Sequence, residues 1–155
     1  MPNILVHIPH GAFPGGARDA LVRRINEAAA EAEQMPADPR KRALCWVVVH
    51  EAAPGAWTCG GADTTARLLP CIAQVNVPAG VLDEAARARY IAAMHDAFKQ
   101  SMPEGDERML ATSVMLNDVA DGTWGAGGAL WKLPDFARAA GFAHLQHLCA
   151  PEASA

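Results

Sequence analysis

The residue with the most distinctive chemical potential in this sequence is Pro2, directly after Met1. An initiator methionine before a small residue is ordinarily trimmed. Pro2 would then carry a secondary amine instead of an amide. An ordinary α-amino group titrates at about 7.7–8.0. Burial in an apolar pocket disfavours the charged form and lowers that value. A neutral amine held by a rigid ring can take a proton from a carbon next to a carbonyl and return it elsewhere. It can also attack a carbonyl, and in its protonated form it can act as an acid. The plain alternative is that Pro2 only opens an edge strand.

The other reactive side chains offer less. His7 and His50 fall on stretches that read as strands, where they could meet across a sheet, and His95 falls on a helix. His144 and His147 are an i, i+3 pair without further ligands, so no metal site is expected. His7 or His10 is a minor candidate for an auxiliary acid or base. Cys45, Cys59, Cys71 and Cys149 have no Cys-x-x-Cys spacing. With no export signal at the N-terminus, they read as buried thiols of a cytoplasmic protein.

Two copies of one pattern must position these groups. Asn3 to Gly11 resembles Ile72 to Gly80, and each stretch follows a proline, Pro2 or Pro70. Glu51 lies nine residues before Gly60-Gly61, and Asp118 lies nine residues before Gly127-Gly128. Trp57 and Trp124 each stand three residues before their glycine pair. The offset is 67 residues for the tryptophans, 68 for the prolines and 69 for Gly11 against Gly80. Landmarks in constant order with slight drift are the mark of two diverged repeats.

Each copy reads as β-α-β. An apolar, β-branched run closed by Pro and Gly is a strand. A helix follows over 19–33, with Leu21, Ile25, Ala28 and Ala32 on one stripe and Arg23, Arg24, Glu27 and Glu31 off it. In the second copy Asp83 reads as an N-cap, with Ile91, Met94 and Phe98 on the buried face. Pro36, Pro39 and Pro103 end the helices. Second strands are expected over 45–51 and 112–118. A helical crossover makes each strand pair parallel. The expected fold is therefore α/β of the α+β type, a tandem β-α-β repeat forming a four-stranded sheet with two helices on one face. The division is one domain over 1–155. It comprises a first unit over 2–61, a linker over 62–69, a second unit over 70–128 and a C-terminal tail over 129–155. Val6, Val48, Val75 and Met115 suggest more apolar sheet surface than two helices cover, which points to other subunits. The tail is apolar enough to dock as a short helix, with 151–155 frayed.

The chain has 155 residues, 51% hydrophobic and 19% charged, with a formal net charge of −4. It forms a core, presents no basic patch for nucleic acid, and has no apolar run long enough to span a membrane.

These residues together resemble the tautomerase superfamily, named after 4-oxalocrotonate tautomerase. The resemblance rests on proline directly after Met1, the β-α-β pattern and its second copy, and the aromatic-x-x-Gly-Gly of Trp57, Gly60 and Gly61, repeated at Trp124, Gly127 and Gly128. It covers 2–128 and leaves the tail unassigned. It implies a catalytic N-terminal proline and, for a two-unit member, a homotrimer. Pro70 has no free amine, so one site per chain is implied. The family's substrate-binding arginines would fall at Ala12, Val81, Trp46 and Ser113, and this chain has none there. The carboxylate of dehalogenating relatives would fall at Cys59 or Ala126. Asp38 lies in the neighbourhood where decarboxylating relatives carry an aspartate after the first helix, with Pro36 and Pro39 leaving its register open. Arg40, with Lys41 and Arg42, is a candidate replacement cation. Trp46 and Trp124 are candidate aromatic walls and Asn76 a candidate hydrogen-bonding residue. An aromatic, arginine-poor pocket suits a bulkier or less charged carbonyl compound. The expected activity is keto–enol proton transfer on an α-keto acid or related small-molecule carbonyl through Pro2. The expectation includes no cofactor, no metal, no nucleic acid and no membrane. The alternatives are a proline-dependent decarboxylase or hydratase, and a non-catalytic trimeric binding protein.

Overall fold

The structure, a computed structural model, describes residues 2–149. The fate of Met1 and the fraying expected over 151–155 lie outside those residues.

In β1 (Asn3–Pro9) the alternation of side chains buries Ile4, Val6 and Ile8 completely. Asn3, Leu5 and His7 face the other way and stay half-buried. The chain then enters α1 (Gly16–Ala32), whose buried stripe includes Leu21, Ile25, Ala28 and Ala32. A short turn of helix, α2 (Pro39–Arg42), starts at Pro39 under the Asp38 cap and leads into β2 (Trp46–Ala52). The second unit repeats the order with β3 (Leu68–Pro78), α3 (Glu84–Ser101) and β4 (Met109–Val119). The Asp83 carboxylate accepts the Ala86 N–H at 2.7 Å, the expected cap. Pro103 follows the end of α3, as a residue without a backbone donor should.

The four long strands form one mixed sheet in the order β2-β1-β3-β4. β1 pairs parallel with β2, β3 pairs parallel with β4, and the two units join antiparallel through β1 and β3. α1 and α3 lie together over one face. Between sheet and helices sits the core, centred on Phe13, Tyr90, Met94 and Phe98, each 0% exposed.

Four details depart from the sequence reading. Ile91 is 44% exposed. The buried stripe of α3 runs through Ala86, Tyr90, Met94 and Ala97, and Ile91 is one residue out of that phase. Val6 and Val75 lie under the helices, fully buried, whereas Val48 and Met115 are on the open face. β3 begins at Leu68, so the last two positions of the expected linker are strand. Only Cys71 is buried; Cys45, Cys59 and Cys149 are half-buried, and all four are free thiols.

Each glycine pair makes the same tight turn. Gly60 and Gly61 have φ of 60° and 84° between the bridged residues Cys59 and Ala62. Gly127 and Gly128, at 59° and 80°, join β5 (Trp124–Ala126) to β6 (Ala129–Trp131). Two successive positive φ values are the requirement of a tight hairpin turn and favour Gly-Gly. The tail then forms α4 (Leu133–Ala140) and a 3-10 stretch, Ala143–Cys149. Phe136 and Phe142 bury it against the rest of the chain. No helix among the described residues is long and apolar enough to cross a membrane.

Candidate active site

Pro2 precedes β1 and is buried. Its alternation places it on the helix-covered side with Ile4 and Val6. The Trp46 N–H donates to the Pro2 carbonyl at 3.0 Å, which fastens the start of β1 to the start of β2. α1 runs back along the sheet, so its C-terminal end returns to this point. The residue that ends it, Glu33, is 0% exposed.

Burial pushes the Glu33 carboxyl above its ordinary value of 4.5, against the pull of the terminal positive charge and of Tyr90. Tyr90, reaching in from α3, is also 0% exposed. Burial and the Glu33 charge hold its phenol well above the usual 10.0. The Cys45 thiol is pushed up to about 12, first by burial and then by Glu33. Cys45 is thus an inert thiol beside Glu33 rather than a nucleophile. A carboxyl, a phenol and a thiol from α1, α3 and the approach to β2 therefore gather where β1 begins.

On the open face the same end of the sheet carries a row of four side chains. Asn3 stands opposite Trp46 on one side and Asn76 on the other, and Asn76 stands opposite Asn117. The Trp46 side chain is 60% exposed. Of the residues singled out from the sequence, Pro2, Trp46 and Asn76 thus share one end of the sheet, Pro2 towards the helices and the other two on the open face. Arg40 is exposed on α2, where its backbone N–H completes the Asp38 cap at 2.9 Å. Trp124 is packed against Phe136, with ring centroids 5.2 Å apart. Asp38, likewise, caps α2 rather than facing Pro2. Other cations placed towards this end are engaged. Arg87 binds both oxygens of Asp118 at 2.8 and 2.6 Å, and Arg42 Nε donates to the Pro36 carbonyl at 3.1 Å.

The sequence reading passed over Glu33, Tyr90, Asn3 and Asn117. Glu33 had a signal: it follows Ile25 and Ala29 at steps of four, which places a carboxyl on the apolar stripe of α1.

At the opposite end of the open face lies a cleft of about 490 Å³ lined by His7, His50, Trp57, Gln74 and Met115. The His7 and His50 rings stack with centroids 5.1 Å apart, the meeting expected from their positions. The neighbouring Glu51 is committed to structure. It binds Arg18, accepts the Gly11 N–H at 3.2 Å and pairs with His10 Nδ1 at 2.9 Å. Among the described residues no group of three His, Cys, Asp or Glu side chains could hold a metal ion.

No protein-family model matches the sequence, and no curated protein matches it. Solved structures do match the fold. A native fused 4-OT superposes with a TM-score of 0.66 at 19% identity, covering 83% of this chain and 94% of its own. A wild-type fused 4-OT solved as a symmetric trimer gives 0.62 at 22% identity, covering 82% and 93%. FG41 malonate semialdehyde decarboxylase, inhibited by 3-bromopropiolate, gives 0.58 at 16% identity, covering 81% and 88%. The agreement extends over both β-α-β units and nearly the full length of each relative, so this chain has the fold of the tautomerase superfamily in its fused, two-unit form.

Proposed function

We propose that the chain is a tautomerase-type isomerase whose reacting group is the amine of Pro2, released by removal of Met1. The observation that carries this reading is the burial of Pro2 at the head of β1, at the end of the sheet where a buried carboxyl, Glu33, also lies. In the ketonising direction the Pro2 nitrogen accepts the enol O–H proton, and the resulting ring ammonium delivers a proton to the adjacent carbon. The nitrogen ends neutral, and no cofactor is required. The substrate is an α-keto acid or a related enolisable carbonyl compound.

Two influences act on that nitrogen. Its apolar surroundings favour the neutral base. An ionised Glu33 close by favours the ammonium, which serves as an acid. The second influence supports a related reading, a decarboxylase or hydratase using protonated Pro2. The pH dependence of kcat/KM distinguishes them: a base gains activity as pH rises through the amine's pKa, and an acid loses it.

The functional unit we propose is a homotrimer. The exposed Val48 and Met115 on the open face and the trimeric state of the similar fused 4-OT support it. A cytoplasmic site of action, without nucleic acid or membrane, rests on the sequence alone.

Intact mass and activity test the reading together. The mature chain is expected to lack Met1 and to ketonise an aryl enolpyruvate, with that activity lost in Pro2→Ala. Retention of Met1, or equal activity in Pro2→Ala, overturns it.

A further inference from the structure

At the Pro2 end of the sheet the polar side chains crossing the open face are amides, not cations. Adjacent strands lie about 4.8 Å apart, so Trp46, Asn3, Asn76 and Asn117 form a line that one small molecule can span. Two hydrogen bonds organise it. Asn117 Nδ2 donates to Asn76 Oδ1 at 3.2 Å, and Asn76 Nδ2 donates to the Asn3 carbonyl at 3.2 Å. A side-chain amide carries two N–H donors, and each of these bonds uses one. Asn3 Oδ1 is buried and has no hydrogen-bond partner among the described residues. Asn3 Oδ1 is closed off, so the free N–H groups of Asn76 and Asn117 are what this row offers a ligand. At the end of the row the indole of Trp46 offers an exposed aromatic face.

Building on the reading of Pro2 as the reacting amine, we infer that this row binds the substrate and selects an aryl-substituted enol or ketone over an aliphatic dicarboxylate. The aryl ring lies on Trp46. The enol or keto oxygen accepts the remaining N–H of Asn76 or Asn117. A second carboxylate lying along this row must shed its water against neutral amides alone. It gains no charge-assisted hydrogen bond, which is about twice as strong as a neutral one. An aryl ring loses little on the same transfer and gains the contact with the indole.

Binding can be read without turnover. The mature protein, labelled with nitrogen-15, is titrated with phenylacetone and, separately, with 2-oxoadipate, and its proton–nitrogen NMR spectrum is followed. Phenylacetone is expected to shift the Trp46 indole and the Asn76 and Asn117 side-chain amide signals with saturation. 2-Oxoadipate is expected to leave them in place at the same concentration. Asn76→Ala should weaken phenylacetone at least tenfold, and Asn76→Arg should reverse the preference. Asn117→Ala is the second variant should Asn76→Ala lose its dispersed spectrum. Tighter binding of 2-oxoadipate by the wild type overturns the inference. So does a change under twofold in the folded alanine variant, or the absence of any shift at these three residues. A failed Pro2→Ala activity test would remove the catalytic reading while leaving this binding result to stand or fall by itself.

Discussion

Glu33 and Ser101 are 68 residues apart, the same separation as Pro2 and Pro70. Each stands at the C-terminal end of its unit's helix, and each is buried, at 0% and 3% exposure. Each also meets a side chain from the other helix. Arg24 Nη1 donates to Ser101 Oγ at 3.1 Å, and Tyr90 packs against Glu33. The frame is shared, but the chemistry is not. Pro70 lies within β3, opposite Ala111, with its nitrogen in a peptide bond. The corresponding end of α3 carries only a neutral hydroxyl, Ser101. The first unit instead keeps a carboxyl in the core, where burial disfavours its charged form. That carboxyl stands in the unit whose proline begins its strand. A repeat thus preserves geometry while one copy keeps the titratable pair.

The tryptophans draw the same contrast. Trp57 borders the open cleft, whereas Trp124 is sandwiched by the tail through Phe136. Phe136 is 2% exposed and also meets Trp131 edge-on at 5.2 Å. Phe136→Ala is expected to cost about 3–5 kcal/mol in denaturant unfolding by emptying a packed aromatic site. A cost below 1 kcal/mol would make the tail an ornament on the second unit rather than part of its core.

Replacing the two prolines tests the central asymmetry. Pro2→Ala should lower kcat/KM by about 100-fold or more, the range that a positioned acid–base contributes. Pro70→Ala should leave it nearly unchanged. Equal losses would mean that the prolines serve only the strands.

Glu33→Gln sharpens the comparison through pH. The folded pKa of Glu33 lies above the ordinary 4.5. Between 4.5 and that raised value the folded chain holds more protons than the unfolded one, so stability falls as pH rises through the window. Glu33→Gln removes that fall. Its melting temperature should gain on the wild type from pH 4.5 upward and level off above the raised pKa. A gain that shrinks with rising pH would show that the carboxylate, not the acid, is the stabilised form. Ser101→Ala should cost about 1 kcal/mol through the lost Arg24 bond, with no dependence on pH over the same range. A pH-dependent loss there would erase the distinction between the two helix ends.

Much of this molecule was legible in the residues. The strands declared themselves by alternation and the helices by the stripes at Leu21, Ile25 and Met94. The glycine pairs declared the turns, because only φ values above zero close them. Pro2, Trp46 and Asn76 were all visible as candidates. The sheet order decided that they share one end, since the antiparallel pairing of β1 with β3 sets Asn3 against Asn76.

Local rules could determine these features because backbone preference and side-chain period act between near neighbours in the chain. The state of Glu33 is different in kind. A glutamate is an ordinary surface acid until α3 and the start of β1 close over it, and the free energy of its charge depends on what packs around it. Only the tertiary structure could decide that a carboxyl, a phenol and the head of β1 share one dry corner.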